Sequence, residues 1–169
     1  CDPGAPMKWV TRKRIHVNRT ATGWLIRRFL DPEAEILFVE PEDVARVQER
    51  EGALGFDAPG VRYPHRDEKG RCSFEQLVEE RLAGDGALRA LATIVHGADF
   101  PREIGIAPEC AGLWAISQGF TDVAPDDTAI LDRASFVYDS LYAHLRRRVA
   151  DETGSQGSTR NTEQEGRRS

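Results

Sequence analysis

Residues 87–99 read ALRALATIVHGAD, an apolar run that ends on His96, Gly97, Ala98 and Asp99. The run predicts a helix from about Asp85 to Gly97, apolar enough to be buried. His96 and Asp99 stand three residues apart, so on a helix they share one face and can reach a common point. Two readings follow from that spacing. His96 can simply end the helix, where a cationic ring is favoured, with Asp99 capping the next turn. Alternatively, an imidazole and a carboxylate aimed at one point are the start of a metal site. Spacing alone favours the first.

Upstream of this helix the signals mix strand and helix. KWVTRKRIHV (residues 8–17) carries β-branched residues in a partly alternating pattern and predicts a strand with one charged face. Asn18 stands where an N-cap would precede RTATGWLIRRFLD, which Asp31-Pro32 stops. AEILFVE (34–40) predicts a short strand. Pro41 opens a second helix that Gly52 ends, and ALGFDAPGVRYP (53–64) reads as strand and turn. Downstream the chain is helical. Ser73-Phe74-Glu75-Gln76 is a capping-box pattern, Pro108-Glu109 starts a helix whose Gly112 and Ala115 would allow close packing, and Asp126-Asp127 begins a long last helix. Ile130, Ala134, Val137, Leu141 and Leu145 form one apolar stripe along that last helix. The expected fold is α+β: a small N-terminal sheet of about three strands with a C-terminal helical layer or bundle. The domain is read as 7–150. Residues 151–169 carry no large apolar side chain after Val149 and are expected to form a disordered polar tail.

A chain of 169 residues can bury a core as one domain. No apolar run approaches a membrane span, and no signal peptide is visible, so a cytoplasmic protein is expected. Cys1, Cys72 and Cys110 lie too far apart for a zinc ribbon or a disulfide framework, which fits a reducing compartment. MKWV at 7–10 reads as a natural beginning, and Cys1 as an addition to it. The net charge of −5 is uneven: Lys8 to Arg28 holds seven Lys/Arg and no acid, which leaves −12 for the rest. A basic segment on an acidic chain suggests a site for a small anion and argues against a nucleic-acid partner. A homo-oligomer stays open.

The other candidates come from the same reading. His65 follows Pro64 in a turn that can aim a side chain into a cleft, and Glu75 offers a second carboxylate; with His96 and Asp99 they make a metal set. Arg19 and Arg28 are the candidates to fork onto an anion. Arg12, Lys13 and Arg14 read equally as a solvated strand edge, and Arg27 and Arg28 as stems covering Trp24 and Phe29. Cys72, just before the capping Ser73, sits near a helix N-terminus, where a thiol pKa can fall. Cys110 reads as core, His16 as surface and His144 as flanking the stripe. Phosphate loops, nucleophile elbows and H-E-x-x-H are absent.

Several segments taken in order carry a resemblance: MKWVTRKR, NRTATGWLIRRFLDPEAEILFV, FDAPGV, HRDEKGRCSFE, IVHGAD and PECAGLWAISQG. Over roughly residues 7–146 the chain resembles the chromate-resistance ChrB C-terminal domain family. Members of that family occur alone, behind a regulator-like domain or joined to a rhodanese-type domain, and this chain looks like the stand-alone form. The family's Asp-Arg-x-Ala-Cys-Pro-Trp-Leu-Ile motif corresponds to Asn18–Ile26. Arg19 and Trp24 match it and Arg28 follows in register, whereas Asn18, Thr22 and Gly23 replace Asp, Cys and Pro. His65, Cys72-Ser73-Phe74 with Glu75, and His96 with Asp99 match the family's other elements. The resemblance raises the odds of a shared ligand site at His65, His96 and Asp99. It implies a divalent metal, iron or manganese before zinc, with a small anion beside it, in a binding, sensing or detoxifying domain. The alternative is a metal-dependent redox or hydrolytic enzyme acting on a small anionic substrate. Thr22 cannot supply thiolate chemistry, and Asn18 offers only a carbonyl oxygen where the family has a carboxylate.

Overall fold

β1 (Lys8–Arg12) lies between β2 (Glu35–Val39) and β3 (Leu54–Gly55), and both neighbours run parallel to it. The computed structural model describes the backbone of residues 7–165 and the side chains of residues 7–154. Parallel neighbours need crossovers. α1 (Val17–Leu25), continued by a π-helical turn over Ile26–Leu30, supplies the first, and a 3₁₀ turn with α2 (Val44–Glu51) supplies the second. Gly52 closes α2 in the left-handed region, as its place after the helix predicts.

Successive strand residues face opposite sides of a sheet. Trp9 therefore joins Phe56, Tyr63 and the main core, whereas Val10 joins Val44, Val47, Ala53 and Ala58 under α2. With both faces covered, β1 is a buried middle strand. The edge reading of its basic end does not hold, because β1 is central and Arg12 turns onto Asp57; Lys13 and Arg14, just past the strand, are solvated as expected.

α3 (Ser73–Arg81), α4 (Gly86–Asp99), α5 (Cys110–Gln118), the single turn α6 (Phe120–Val123) and α7 (Asp127–Glu165) complete the α+β domain. α4 is its hub, packed by α1, α3, α5 and α7, with Leu88, Leu91, Ile94 and Val95 in the core. Its N-cap is Asp85, whose Oδ1 accepts from Leu88 N at 3.0 Å. The α7 stripe is buried at Ile130, Ala134 and Leu145; Leu131, Tyr138 and Tyr142 take most of the remaining inward positions. The helix is drawn through Glu165, into the polar stretch from 151, and residues 151–154 are exposed.

Three local expectations are corrected. Asn18 does not cap α1, which begins at Val17 with His16 as N-cap; its Oδ1 instead accepts Phe74 N across the core, at the start of α3. The capping box of α3 is set one residue earlier than expected: Cys72 is the N-cap and Glu75 answers its backbone N–H at 3.0 Å. Gly112 and Ala115 face solvent, so they are not the close-packing residues of α5. That role belongs to Gly97, where a Cβ would strike Cys110 Sγ and Ile106 and lie 3.0 Å from the Glu103 carbonyl.

Candidate functional site

Two groups of polar side chains converge at the C-terminal end of α4, on either side of Phe100. The first joins α4 to the start of α3. His96, 8% exposed, turns Nδ1 to Glu75 Oε1 and Nε2 to Glu103 Oε2, the latter at 2.9 Å. The Cys72 sulfur, a Glu75 carboxylate oxygen and a His96 ring nitrogen all lie within 4.8 Å of one another. The capping box places Cys72 and Glu75 there, and Gly97 lets the Glu103 segment come close. A neutral imidazole has one N–H and satisfies one carboxylate; its other nitrogen then aims a lone pair at an anion. A second proton resolves that conflict, and so does a metal ion.

The second group sits at the carboxyl ends of β1 and β3, where ligands gather in open parallel sheets. Asp57 follows β3 by two residues with φ +52°, a left-handed conformation that Asp tolerates better than most residues. Its side chain is buried. Arg12 donates to its carbonyl at 2.7 Å and to Oδ1 at 3.3 Å, and Arg19 donates to Oδ2 at 3.1 Å. His65 Nδ1 lies 2.5 Å from Asp57 Oδ1 and 3.7 Å from Asp99 Oδ2. Phe100 separates the groups, with ring centroids 4.6 Å from His96 and 5.3 Å from His65.

The predicted set is thus brought to one end of the fold but split. Glu75 and His96 stand together with Cys72; His65 and Asp99 stand together with Asp57 and Arg19. Three residues on an α-helix turn the chain by about 300°, which leaves about 60° between His96 and Asp99, enough to point them at different neighbours. Arg28 is elsewhere, 3.6 Å from Asp139 of α7 and stacked on Phe29. Trp24 is buried against Phe29, Tyr138 and Tyr142 and donates Nε1–H to Asp139. Asn18 and Thr22 line the inner side of the α3 start, where Thr22 meets Ser73 Oγ at 3.1 Å. Lys8, Arg12, Lys13, Arg19, Arg27 and Arg28 each face a carboxylate, so the basic segment is largely neutralised by the rest of the chain.

Burial dominates the electrostatics. It pushes the Asp99 carboxyl up to about 6, aided by Asp57 and opposed by His65, Arg19 and Arg12; its Oδ2 has no hydrogen-bond partner among the described residues. The hydrogen bond to Asp57 raises His65 above the ordinary imidazole value. Burial lowers Arg19 and leaves its Nε without a partner. Cys72 is held well above the usual thiol value by burial first and the Glu75 charge second, which overturns the expectation of a lowered thiol at a helix N-terminus. Cys110 is core, and its thiol points at Ile94 O at 3.4 Å.

Asp57 and Glu103 were not among the sequence candidates. Asp57 had a faint signal in Phe-Asp-Ala-Pro-Gly, an acid entering a turn directly after a strand. Glu103, in an ordinary Pro-Arg-Glu turn, had none.

A three-stranded parallel sheet under a helical layer, with this two-part polar site at the strand ends, is the setting in which the motifs of the sequence fall together. The chain belongs to the ChrB C-terminal domain family, whose model matches residues 9–145. It is similar to Protein ChrB of Cupriavidus metallidurans, 39% identical over 141 residues, which is 82% of this chain and 40% of that protein. The chain therefore spans about two-fifths of the length of the curated relative it matches. No solved structure matches it.

Proposed function

We propose that this domain acts in chromate resistance by binding one divalent metal ion, with His96 Nδ1, Glu75 and Cys72 as the protein ligands and Glu103 holding the far ring nitrogen, Nε2. One observation carries the reading: both ring nitrogens of a nearly buried histidine face carboxylates, with a sulfur close by. The donors fit such an ion. An imidazole and a carboxylate suit iron or manganese, and the thiol, harder to ionise than usual, makes the set less like a thiolate-rich zinc site. A small anion would sit on the Asp57 side of Phe100, where Arg19 Nε is buried and unpartnered. Arg28, spent on Asp139, takes no part in it.

The test is metal content by elemental mass spectrometry on tag-free protein purified without chelator. Near-stoichiometric iron or manganese, lost in His96→Ala with the helical circular dichroism retained, is the expected result. Clean apo-protein that also refuses added iron(II), manganese(II) and zinc(II), with no rise in melting temperature, overturns the reading; His96 then only ends a helix. The enzyme reading is favoured by a different observation, the pairing of His65 with Asp57.

A further inference from the structure

The candidate metal group leaves His65 unused, yet His65 has the more distinctive chemistry. Asp57 Oδ1 sits 2.5 Å from its Nδ1. A carboxylate only accepts, so Nδ1 carries the hydrogen and, in the neutral ring, Nε2 keeps the lone pair. Nε2 makes no hydrogen bond among the described residues, and the side chain is 45% exposed, so this nitrogen faces solvent. Asp57 cannot turn away: Arg12 holds its carbonyl and Oδ1, Arg19 holds Oδ2, and its own N–H donates to Tyr63 O at 2.8 Å. A buried, doubly anchored carboxylate that fixes one ring nitrogen and frees the other is how a histidine is prepared as a general base.

We propose that Asp57 and His65 form a proton-transfer dyad in which His65 Nε2 takes a proton from a water, hydroxyl or thiol approaching from solvent. The groups that face the ring allow it to cycle. Arg12 from β1 and Arg19 from α1 both pair with Asp57, so its charge stays balanced when His65 is neutral, and Asp99 from α4, 3.7 Å from Nδ1, is the other carboxylate facing the ring. Arg66, stacked on Phe100, is the remaining nearby cation. Asp57 is a poor candidate for a second metal site because both its oxygens are already held by guanidinium groups. The proposal stands on the Asp57–His65 contact and does not require a metal at His96.

The probe is p-nitrophenyl acetate, with the 169-residue chain freed of metal by chelator. Neutral His65 either takes a proton from attacking water or adds Nε2 to the acetyl carbon. In both routes the acyl C–O bond breaks, p-nitrophenolate leaves with the electron pair, and water supplies the oxygen of acetate. One ester and one water give acetate, p-nitrophenolate and two protons, and the ring returns neutral. Wild type is expected to exceed His65→Gln by roughly tenfold, below the usual general-base range because nothing positions the ester. His144→Gln, a change at an exposed histidine of α7 outside both polar groups, is expected to keep the wild-type rate, and the chelated state of the protein separates this result from failure of the metal reading. Nitrogen-detected NMR of wild-type imidazoles needs no variant and is expected to show the Nδ1–H tautomer of His65 replacing the cation as pH rises, complete by pH 9. Equal rates in wild type and His65→Gln, or a ring still doubly protonated at pH 9, would mean that His65 is a fixed ion pair and overturn the proposal.

Discussion

Among single residues, Gly97 decides how the group around His96 closes. Any Cβ there meets Cys110 Sγ, Ile106 and the Glu103 backbone, so the α4–α5 connection must move outward. Gly97→Ala is expected to cost about 2–3 kcal/mol in denaturant unfolding, as overpacking of a tight core does. The same shift would carry Glu103 away from His96 and weaken metal uptake. Loss of stability with unchanged uptake would show that Glu103 does not orient the His96 ring. Asn18 teaches the opposite lesson about legibility. Its place before an amphipathic run looked like a local cap, but the oxygen it offers is taken by Phe74 N, fifty-six residues away. A capping residue announces that it will accept a backbone N–H; sequence does not say whose.

Among the elements, α4 is tied at one end and carries the candidate site at the other. Asp85 caps it through Leu88 N and also accepts Tyr142 O–H at 2.7 Å. Asp85→Ala is expected to cost roughly 2 kcal/mol, the cap plus a stranded buried hydroxyl, and Tyr142→Phe about half of that. Urea unfolding measures both. Neither is expected to change metal content, because His96 lies about three turns away at the far end of the helix. A loss of metal in Asp85→Ala would show that the C-terminal end of α4 is not held independently. The apolar content of residues 87–99 made this helix readable; its partners were not, since an apolar face specifies burial and not the identity of the covering helix.

At the scale of the whole molecule, the Asp57 side of the site makes stability depend on pH. Asp99 titrates near 6 in the fold against about 3.9 in an unfolded chain. The folded state thus binds the extra proton in between, and stability falls as pH rises from about 4 to about 6. The size is at most ~3 kcal/mol for a shift of roughly two units in a mostly buried group. His65 acts in a higher window: its raised value contributes stability that is complete below about 6.5 and is lost as pH rises through its folded value. Urea unfolding between pH 4 and pH 8 is expected to show both declines. Asp99→Asn is expected to remove the lower one; a lower decline that survives in Asp99→Asn would place the uncompensated carboxyl elsewhere. No helix among the described residues is long and apolar enough to cross a membrane.

The α+β class, a strand within 8–17, a strand over 34–40, a buried helix ending near Gly97 and the family were all legible in the sequence, although the first strand stops at Arg12 and α1 takes over from Val17. Those follow from periodicity, caps and turn residues, which act over a few neighbouring positions. The sequence also marked Glu75, His65, His96 and Asp99, because imidazoles and carboxylates beside apolar runs are conspicuous. Only the tertiary structure decided that β1 is the middle strand, that Arg12 and Arg19 meet at Asp57, and that Phe100 divides the histidines into two groups. Each of these depends on parallel pairing and side-chain packing between residues tens of positions apart. Local signals carry no record of such distances.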